Sequence, residues 1–403
     1  MARTQIGVFF GGQSPEHEVS VITGLQAAAA LSTQGNSVVP VYVSKAGRWY
    51  VGDQLKDIKA FGDVPKLLSQ CAEITLAPGP GRSLALIPRH RGRFKTNREI
   101  VLDVAFLAFH GSSGENGSVQ GLCETMTVPY TGSGVAASAL GMNKVLSKKA
   151  CLFVGVPVVD WVEVSESSFR NKEEAELTRI ETSLGFPAIV KPISLGSSIG
   201  IARVENRAEL DAAIEEALRY DAHVLVEKCV PNLREINASV LGDGVDSRVS
   251  VLEEPLGTEG VLSFKDKYMN DSSGGKTSSS KSMGEGMASL GRVIPAPVTE
   301  DEAVLIREMA LKVFAALDCS GVVRIDFLMD AITGEVWFNE INTIPGSLSF
   351  YLWEPTGVPF DSLVQTLVDL AIHRFEERTR RVRSYDVNLL AERSAKGLSG
   401  SKS

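Results

Sequence analysis

Near the start of the chain the residues read Ile6-Gly7-Val8-Phe9-Phe10-Gly11-Gly12-Gln13-Ser14-Pro15-Glu16. An apolar run of strand length meets a glycine pair, and a serine, a proline and an acid follow in the order of a helix N-cap, first position and first-turn carboxylate. Buried strand, glycine turn and helix in succession open an α/β unit, and in such sheets ligands gather beyond the carboxyl ends of the strands. Val38 to Val43 reads as the next strand, and Val101 to Phe109 as a later central one that ends at His110 and the loop GSSGENGSVQG. Glu16 and His110 therefore both fall at the ligand end of the predicted sheet.

A chain of 403 residues exceeds one ordinary core and predicts three domains. Hydrophobic content of 44%, charged content of 22% and a formal charge of -8 describe a globular protein and argue against a general nucleic-acid binder. The five cysteines, Cys71, Cys123, Cys151, Cys229 and Cys319, are odd in number and lack C-x-x-C spacing, so neither a disulfide framework nor a structural zinc site is expected. A reducing cytoplasm fits that usage. The first apolar run is too short for a signal peptide, and no stretch nears the ~20 apolar residues that span a bilayer.

Further along, residues 52–98 have weak periodicity and read as a peripheral insertion. Ser138 to Phe153 and Glu173 to Leu184 read as helices, and His223 to Val230, Glu235 to Leu241 and Arg248 to Leu252 as strands. Residues 269–289 are rich in Gly and Ser and predict a mobile loop; the Gly275-Lys276-Thr277 inside it is not a P-loop, because Asn270 stands where the motif needs glycine. A helix is predicted from Thr299, strands over Val322 to Met329 and Glu335 to Ile341, and a disordered tail from Ser394.

The late strand pair carries chemistry. If Ala331-Ile332-Thr333 is the hairpin loop, the alternation of side chains puts Arg324, Asp326, Glu340 and Asn342 on one face. Two carboxylates and an amide oxygen form a hard-oxygen set suited to Mg²⁺, which commonly counts substrate phosphates among its ligands. The plainer alternative is a solvated strand face with surface ion pairs. Upstream, Ala188-Ile189-Val190 delivers Lys191 to a strand end beside Gly196-Ser197-Ser198-Ile199-Gly200. A lysine is a point-charge phosphate binder, and such a loop folds its N–H groups around anions. Together the two features form a nucleoside triphosphate hypothesis.

GGQSPEHEVS, HGSSGENGSVQG, YTGSGVAASALGMNK, FPAIVKPISLGSSIGI, VLVEK, VVRIDF and NEINTIPG occur in this order, and with them the chain resembles the D-alanine-D-alanine ligases of the ATP-grasp superfamily from residue 5 to about 375. The resemblance implies an α/β ATP-grasp fold of three domains. These are a Rossmann-like N-terminal substrate domain (1–132), a central subdomain (133–228) and a C-terminal catalytic domain (229–380), followed by a tail (381–403), with ATP held between the central and C-terminal domains. It implies that Lys144 and Lys191 meet the ATP phosphates together with Ser198, that Glu227, Lys228 and Val230 hold adenine, and that Glu235 takes the ribose. Asp326, Glu340 and Asn342 would hold two Mg²⁺, or Mn²⁺ in their stead, with Arg324 beside the reacting carbonyl. Glu16 would receive the first D-alanine's ammonium, linked to Ser197 and Tyr268; His110 would serve the same substrate, and Gly346 would offer an N–H to the tetrahedral intermediate. Lys267, Tyr351 and Leu352 fall to the acceptor, where Tyr351 replaces the serine usual in the family.

The implied activity joins two D-alanines for peptidoglycan precursor synthesis, in the cytoplasm and as a homodimer. A carboxylate has no leaving group until ATP phosphorylates it, and the amine then expels phosphate, so charge neutralisation and exclusion of water replace an enzyme nucleophile. Residues 269–289 are the expected lid. D-lactate or D-serine as acceptor, and a non-catalytic ATP sensor, are the competing readings. Taken singly, His110 reads equally as a satisfied histidine, Tyr268 as a half-buried aromatic and Glu16 as a helix-dipole partner.

Overall fold

The computed structural model describes residues 4–89, 99–196, 199–244, 246–256 and 291–382. The first strand, β1 (Gln5–Gly11), is the apolar run of the opening motif, with Ile6, Val8 and Phe10 fully buried. It pairs in parallel with β2 (Ser37–Val43) on one side and β7 (Val104–Leu107) on the other. The intervening helix α1 is His17–Thr33, which starts three residues beyond the predicted N-cap. Ser14, Pro15 and Glu16 instead form a turn, in which the Ser14 hydroxyl accepts from the Glu16 N–H at 3.1 Å.

The described part of the stretch read as a peripheral insertion, residues 52–89, extends the first sheet instead, and residues 90–98 lie outside the described residues. The strands β3 (Trp49–Val51), β4 (Ala72–Pro78), β5 (Leu84–Pro88) and β6 (Ile100–Leu102) continue the sheet antiparallel from β2, giving the order β6-β5-β4-β3-β2-β1-β7. The helix α2 (Val64–Gln70), capped by Asp63 and with Pro65 in its first turn, lies between β3 and β4 in sequence. Leu55, Leu67, Ile74 and Leu86 join the same core as β1, so apolar residues without clear period still bury one continuous surface. The predicted strand from Val101 to Phe109 is broken at Asp103, whose carboxylate accepts from the Gln5 N–H at 2.8 Å, and its two halves stand at opposite ends of the sheet order.

After the short helices α3 (Ser112–Glu115) and α4 (Ser118–Thr125), the predicted helix over 138–153 proves to be two, α5 (Val135–Met142) and α6 (Lys144–Phe153). Asn143 divides them because its side-chain oxygen accepts from the Val145 and Leu146 N–H groups, an N-cap that starts the second helix at Lys144. A second sheet, β10-β9-β11-β8, is antiparallel and built from β8 (Trp161–Ser165), β9 (Ala188–Pro192), β10 (Ala202–Val204) and β11 (His223–Lys228). The helices α7 (Glu166–Leu184) and α8 (Arg207–Ala217) share its core.

The third sheet contains β12 (Leu233–Gly242), β13 (Arg248–Val249), β16 (Gly321–Asp330) and β17 (Val336–Asn342) in the order β13-β12-β16-β17, beside a ribbon of β14 (Glu254–Pro255) and β15 (Arg292–Val293). Helix α9 (Glu300–Ala316) opens with a Thr299/Glu302 capping box and packs on it. Ala137 of α5 and Cys151 of α6 belong to this third core rather than to the second, although they lie in sequence before β8. After α10 (Phe350–Trp353), the last helix α11 (Phe360–Arg380) returns to the first sheet, where Arg374 donates to the Tyr130 carbonyl at 3.0 Å. All five cysteines are free thiols. Among the described residues no helix is long and apolar enough to cross a membrane.

Candidate active site

The alternation of β9 and β11 sets the first part of the site. Lys191 lies opposite Leu225 and Ile189 opposite Glu227, so Lys191 and Glu227 share one face as diagonal neighbours. Glu227 is 2% exposed and takes two cations: Lys191 on Oε2, and Lys148 of α6 on Oε1 at 2.6 Å. Burial alone would raise its pKa, but the two lysine charges outweigh that and lower it to about 2. Lys144, one helical turn before Lys148, reaches Glu340 at 3.5 Å and donates to the Leu195 carbonyl. Both lysines thus project from one face of α6 toward the other two elements.

The third sheet adds the oxygen set. Arg324 pairs with Asn342 and Asp326 with Glu340 across β16 and β17, so the predicted common face exists. Beyond Asp326 the register shifts, with Phe327 opposite Phe338, which leaves Asn339 as the extra residue of a β-bulge. Its side-chain oxygen accepts from Lys191 Nζ at 3.0 Å. The bulge thus ties the second sheet to the third. Arg324 grips Asp326 with two bonds, Nε to Oδ1 at 2.7 Å and Nη2 to Oδ2 at 2.8 Å, and Asn342 donates to Oδ2 at 3.2 Å. Burial opposes the charged guanidinium, yet Asp326 holds the Arg324 pKa well above its usual value. Glu235 is half-buried at the start of β12, and its charge acts on Lys191. Lys228 is exposed and Val230 buried.

Across the cleft, the Glu16 carboxylate lies against two glycines. A Cβ on Gly111, whose φ is +65, would stand 2.4 Å from Glu16 Oε2, and one on Gly196 would stand 3.3 Å away. Close approach therefore requires glycine at 111. Glu115, buried beside Glu16, accepts from the Gly111 N–H at 2.6 Å and from the Ile344 N–H at 2.9 Å. Burial first, and the Glu16 charge second, raise its pKa to about 8.

His110 is 4% exposed, and its Nε2 meets the Thr23 hydroxyl at 2.8 Å. Thr23 also accepts from the Ser347 N–H at 3.0 Å, and a backbone hydrogen bond with Ile344 favours the charged ring. Burial, above all, lowers the His110 pKa to about 4. Gly346 opens a turn in which Ser347, Leu348 and Ser349 all have left-handed φ, at 47, 55 and 51. Three such non-glycine residues in succession need external support, and Thr23 of α1 gives it at Ser347 while Glu115 of α3 holds Ile344 just before the turn.

Tyr351 is buried beneath Arg292, whose guanidinium stacks 3.9 Å from the ring centroid, and its hydroxyl donates to Glu253 at 3.3 Å. Glu253 also holds Arg292 at 2.8 Å and Asn237 at 3.0 Å. Leu352 has its side chain wholly in the core. Ser197, Ser198, Lys267, Tyr268 and the expected lid over 269–289 lie outside the described residues. The sequence reading missed Lys148, Glu115, Thr23, Asn339, Glu253 and Arg292. Spacing marks only Lys148, four residues after Lys144.

A Rossmann-like sheet joined to two antiparallel sheets, with lysines and carboxylates converging between the latter two, defines an α/β ligase of the ATP-grasp class. The family model described as D-ala D-ala ligase N-terminus matches residues 5–133, and that described as D-ala D-ala ligase C-terminus matches residues 152–369. The chain belongs to the D-alanine-D-alanine ligase family. It is 36% identical to the D-alanine--D-alanine ligase of Thermosipho melanesiensis over 96% of this chain and 98% of the relative, and 37% identical to that of Chlorobium chlorochromatii over 92% and 99%. Among solved structures it is similar to the D-alanine-D-alanine ligase from Coxiella burnetii, with TM-score 0.75 and 28% identity over 94% of this chain and 97% of that one. The VanG D-Ala:D-Ser ligase from Enterococcus faecalis matches with TM-score 0.74 and 28% identity over 92% and 100%.

Proposed function

We propose that the chain joins two D-alanines into D-alanyl-D-alanine at the expense of ATP, by way of an acyl phosphate, as a step of peptidoglycan precursor synthesis. The observation that carries the reading is the balanced set of three lysines (Lys144, Lys148, Lys191) and three carboxylates (Glu227, Glu235, Glu340) between the second and third sheets. A nucleotide tetra-anion entering with two divalent cations leaves that balance intact.

Asp326, Glu340 and Asn342 would hold the magnesium. Their donors are all oxygen, the set that suits Mg²⁺, and the remaining ligands would come from phosphate and water, which is the habit of that ion. Bound there, the metal supplies charge neutralisation to the transferring phosphoryl. Lys144 and Lys191 bind and orient the phosphates. Glu16 receives the ammonium of the first D-alanine, close to Gly111 and Gly196. Arg324, already held in place by Asp326, stabilises the oxyanion together with the Gly346 N–H.

Incubation with Mg²⁺, ATP and D-alanine should release phosphate only when D-alanine is present and yield the dipeptide by mass. ATP binding without D-alanine-dependent release would favour a sensor instead. The five free thiols suit a cytoplasmic protein, and a homodimer is the expected native mass.

A further inference from the structure

Lys148 has no exposed surface, and besides its ion pair with Glu227 it donates to the Phe338 carbonyl at 3.4 Å. Burying an ammonium so completely is costly unless an anion stays with it. Glu227 is that anion, but it carries a second lysine, Lys191, on its other oxygen. Two cations on one buried carboxylate exceed what neutralisation needs. The surplus is asymmetric. Glu227 is the carboxylate that pairs with Lys148, whereas Lys191 also touches Asn339 and feels the charges of Glu340 and Glu235 at the cleft.

We propose that Lys148 is a positioning residue, a fixed counter-ion to Glu227 that lets Lys191 leave the carboxylate for the nucleotide's phosphates without stranding a bare anion in the core. The inference rests on the ATP-dependent reading above. In the nucleotide-free protein Lys191 is parked on Glu227 Oε2. When phosphates arrive, Lys191 turns to them, Lys148 keeps Oε1, and Oε2 is opened as an acceptor for a donor on the base. Without Lys148, every phosphate contact made by Lys191 would uncover Glu227. Lys191 would then stay where it is, and the triphosphate would lose a cation.

The test is a double-mutant cycle of Lys148→Met and Glu227→Gln, read as MgATP affinity by calorimetry and as kcat and KM for ATP. Lys148→Met should fold, because Lys191 remains to neutralise Glu227. It should weaken MgATP by about a hundredfold, the scale of breaking a buried charge pair, with the loss in KM rather than kcat. In the Glu227→Gln background the same substitution should cost less than about threefold, since no charge is left to compensate. Equal losses in both backgrounds would mean that Lys148 only packs, and would overturn the proposal. So would MgATP affinity in Lys148→Met within about threefold of wild type. If Lys148→Met alone does not fold, the comparison of the double variant with Glu227→Gln still decides, and a loss of more than about tenfold there refutes the counter-ion role. Wild-type protein that binds no MgATP would instead defeat the ligase reading, and this inference with it.

Discussion

Among the described residues, Glu115 is a buried carboxylate whose pKa is raised into the neutral-to-alkaline range. Its pKa of about 8 arises first from burial and second from the Glu16 charge, against the Gly111 and Ile344 N–H groups and Arg324, which favour ionisation. An unfolded glutamate titrates near 4.5. Because the folded value is the higher, the folded protein binds the proton more tightly. The resulting stability is complete below about pH 4.5 and is lost as pH rises through about 8. Between pH 6 and 8.5 that loss amounts to about 2.5 kcal/mol. Glu115→Gln removes the titration and keeps one carbonyl oxygen for one of the two N–H groups, while its amide confronts the other, at a cost of about 1–3 kcal/mol. Urea unfolding of both proteins at intervals from pH 6 to 8.5 should show the variant less stable at pH 6, with the gap closing by about 2–3 kcal/mol at the alkaline end. Parallel curves, with a constant difference across that range, would mean that Glu115 does not change ionisation there, and the reasoning would fail.

Asp326→Asn and Glu340→Gln should fold yet lose about 10²-fold or more in D-alanine-dependent phosphate release, because the phosphoryl charge then lacks its oxygen ligands; near-wild-type turnover in both would refute the metal assignment. Thr23→Val leaves the Ser347 N–H and His110 Nε2 unpaired in a buried site, so it should lower unfolding free energy by about 2–5 kcal/mol and reduce activity as well; full activity with unchanged stability would remove the supporting role of Thr23. Tyr351 keeps its hydroxyl on Glu253, so we expect D-alanine to outcompete D-lactate and D-serine at neutral pH, with dipeptide formation rising from about pH 6 to 8.5 as the acceptor ammonium loses its proton. Mass-resolved competition assays test this, and predominant D-alanyl-D-lactate would overturn it.

What the sequence made legible is what local pattern determines. The opening strand, the common face of Arg324, Asp326, Glu340 and Asn342, and Lys191 at a strand end all follow from alternation and turn chemistry. The hairpin face came out as predicted although the register did not: the bulge at Asn339 moves the pairing by one residue, and near Asp326 the parity still agrees. Residues 52–89 misled because antiparallel strands with mixed exposure carry little period. Asn143 was hidden because an N-cap inside an apolar run looks like a helical residue until the next helix is seen to begin. Glu115, Thr23 and Arg292 were illegible for another reason. Each finds its partner more than 35 residues away in the chain, and no local period reports such a contact.

The same distinction decides how the site responds to substitution. Arg324, Asp326 and Asn342 sit on two adjoining strands of one sheet and hold one another. On the proposed roles, changing them would disturb the reacting centre while the three sheets stay together, so activity should fall without stability. Glu115, Thr23, Asn339 and Lys148 each join two different parts: the helices α3 and α1 to the segment around Gly346, or the second sheet to the third with its helices. For these residues the bond that assembles the cleft would, on the proposed roles, also be the bond that aims a reacting group. Asn339 is the sharpest case, because the unpaired residue of a bulge contributes little to the strand ladder, and its oxygen is what holds Lys191 near Glu340. Removing that oxygen would leave the hairpin intact while loosening the lysine from the third sheet. A residue between two bodies can therefore be distinguished from one within a sheet by whether the loss of affinity for ATP is accompanied by a loss of stability.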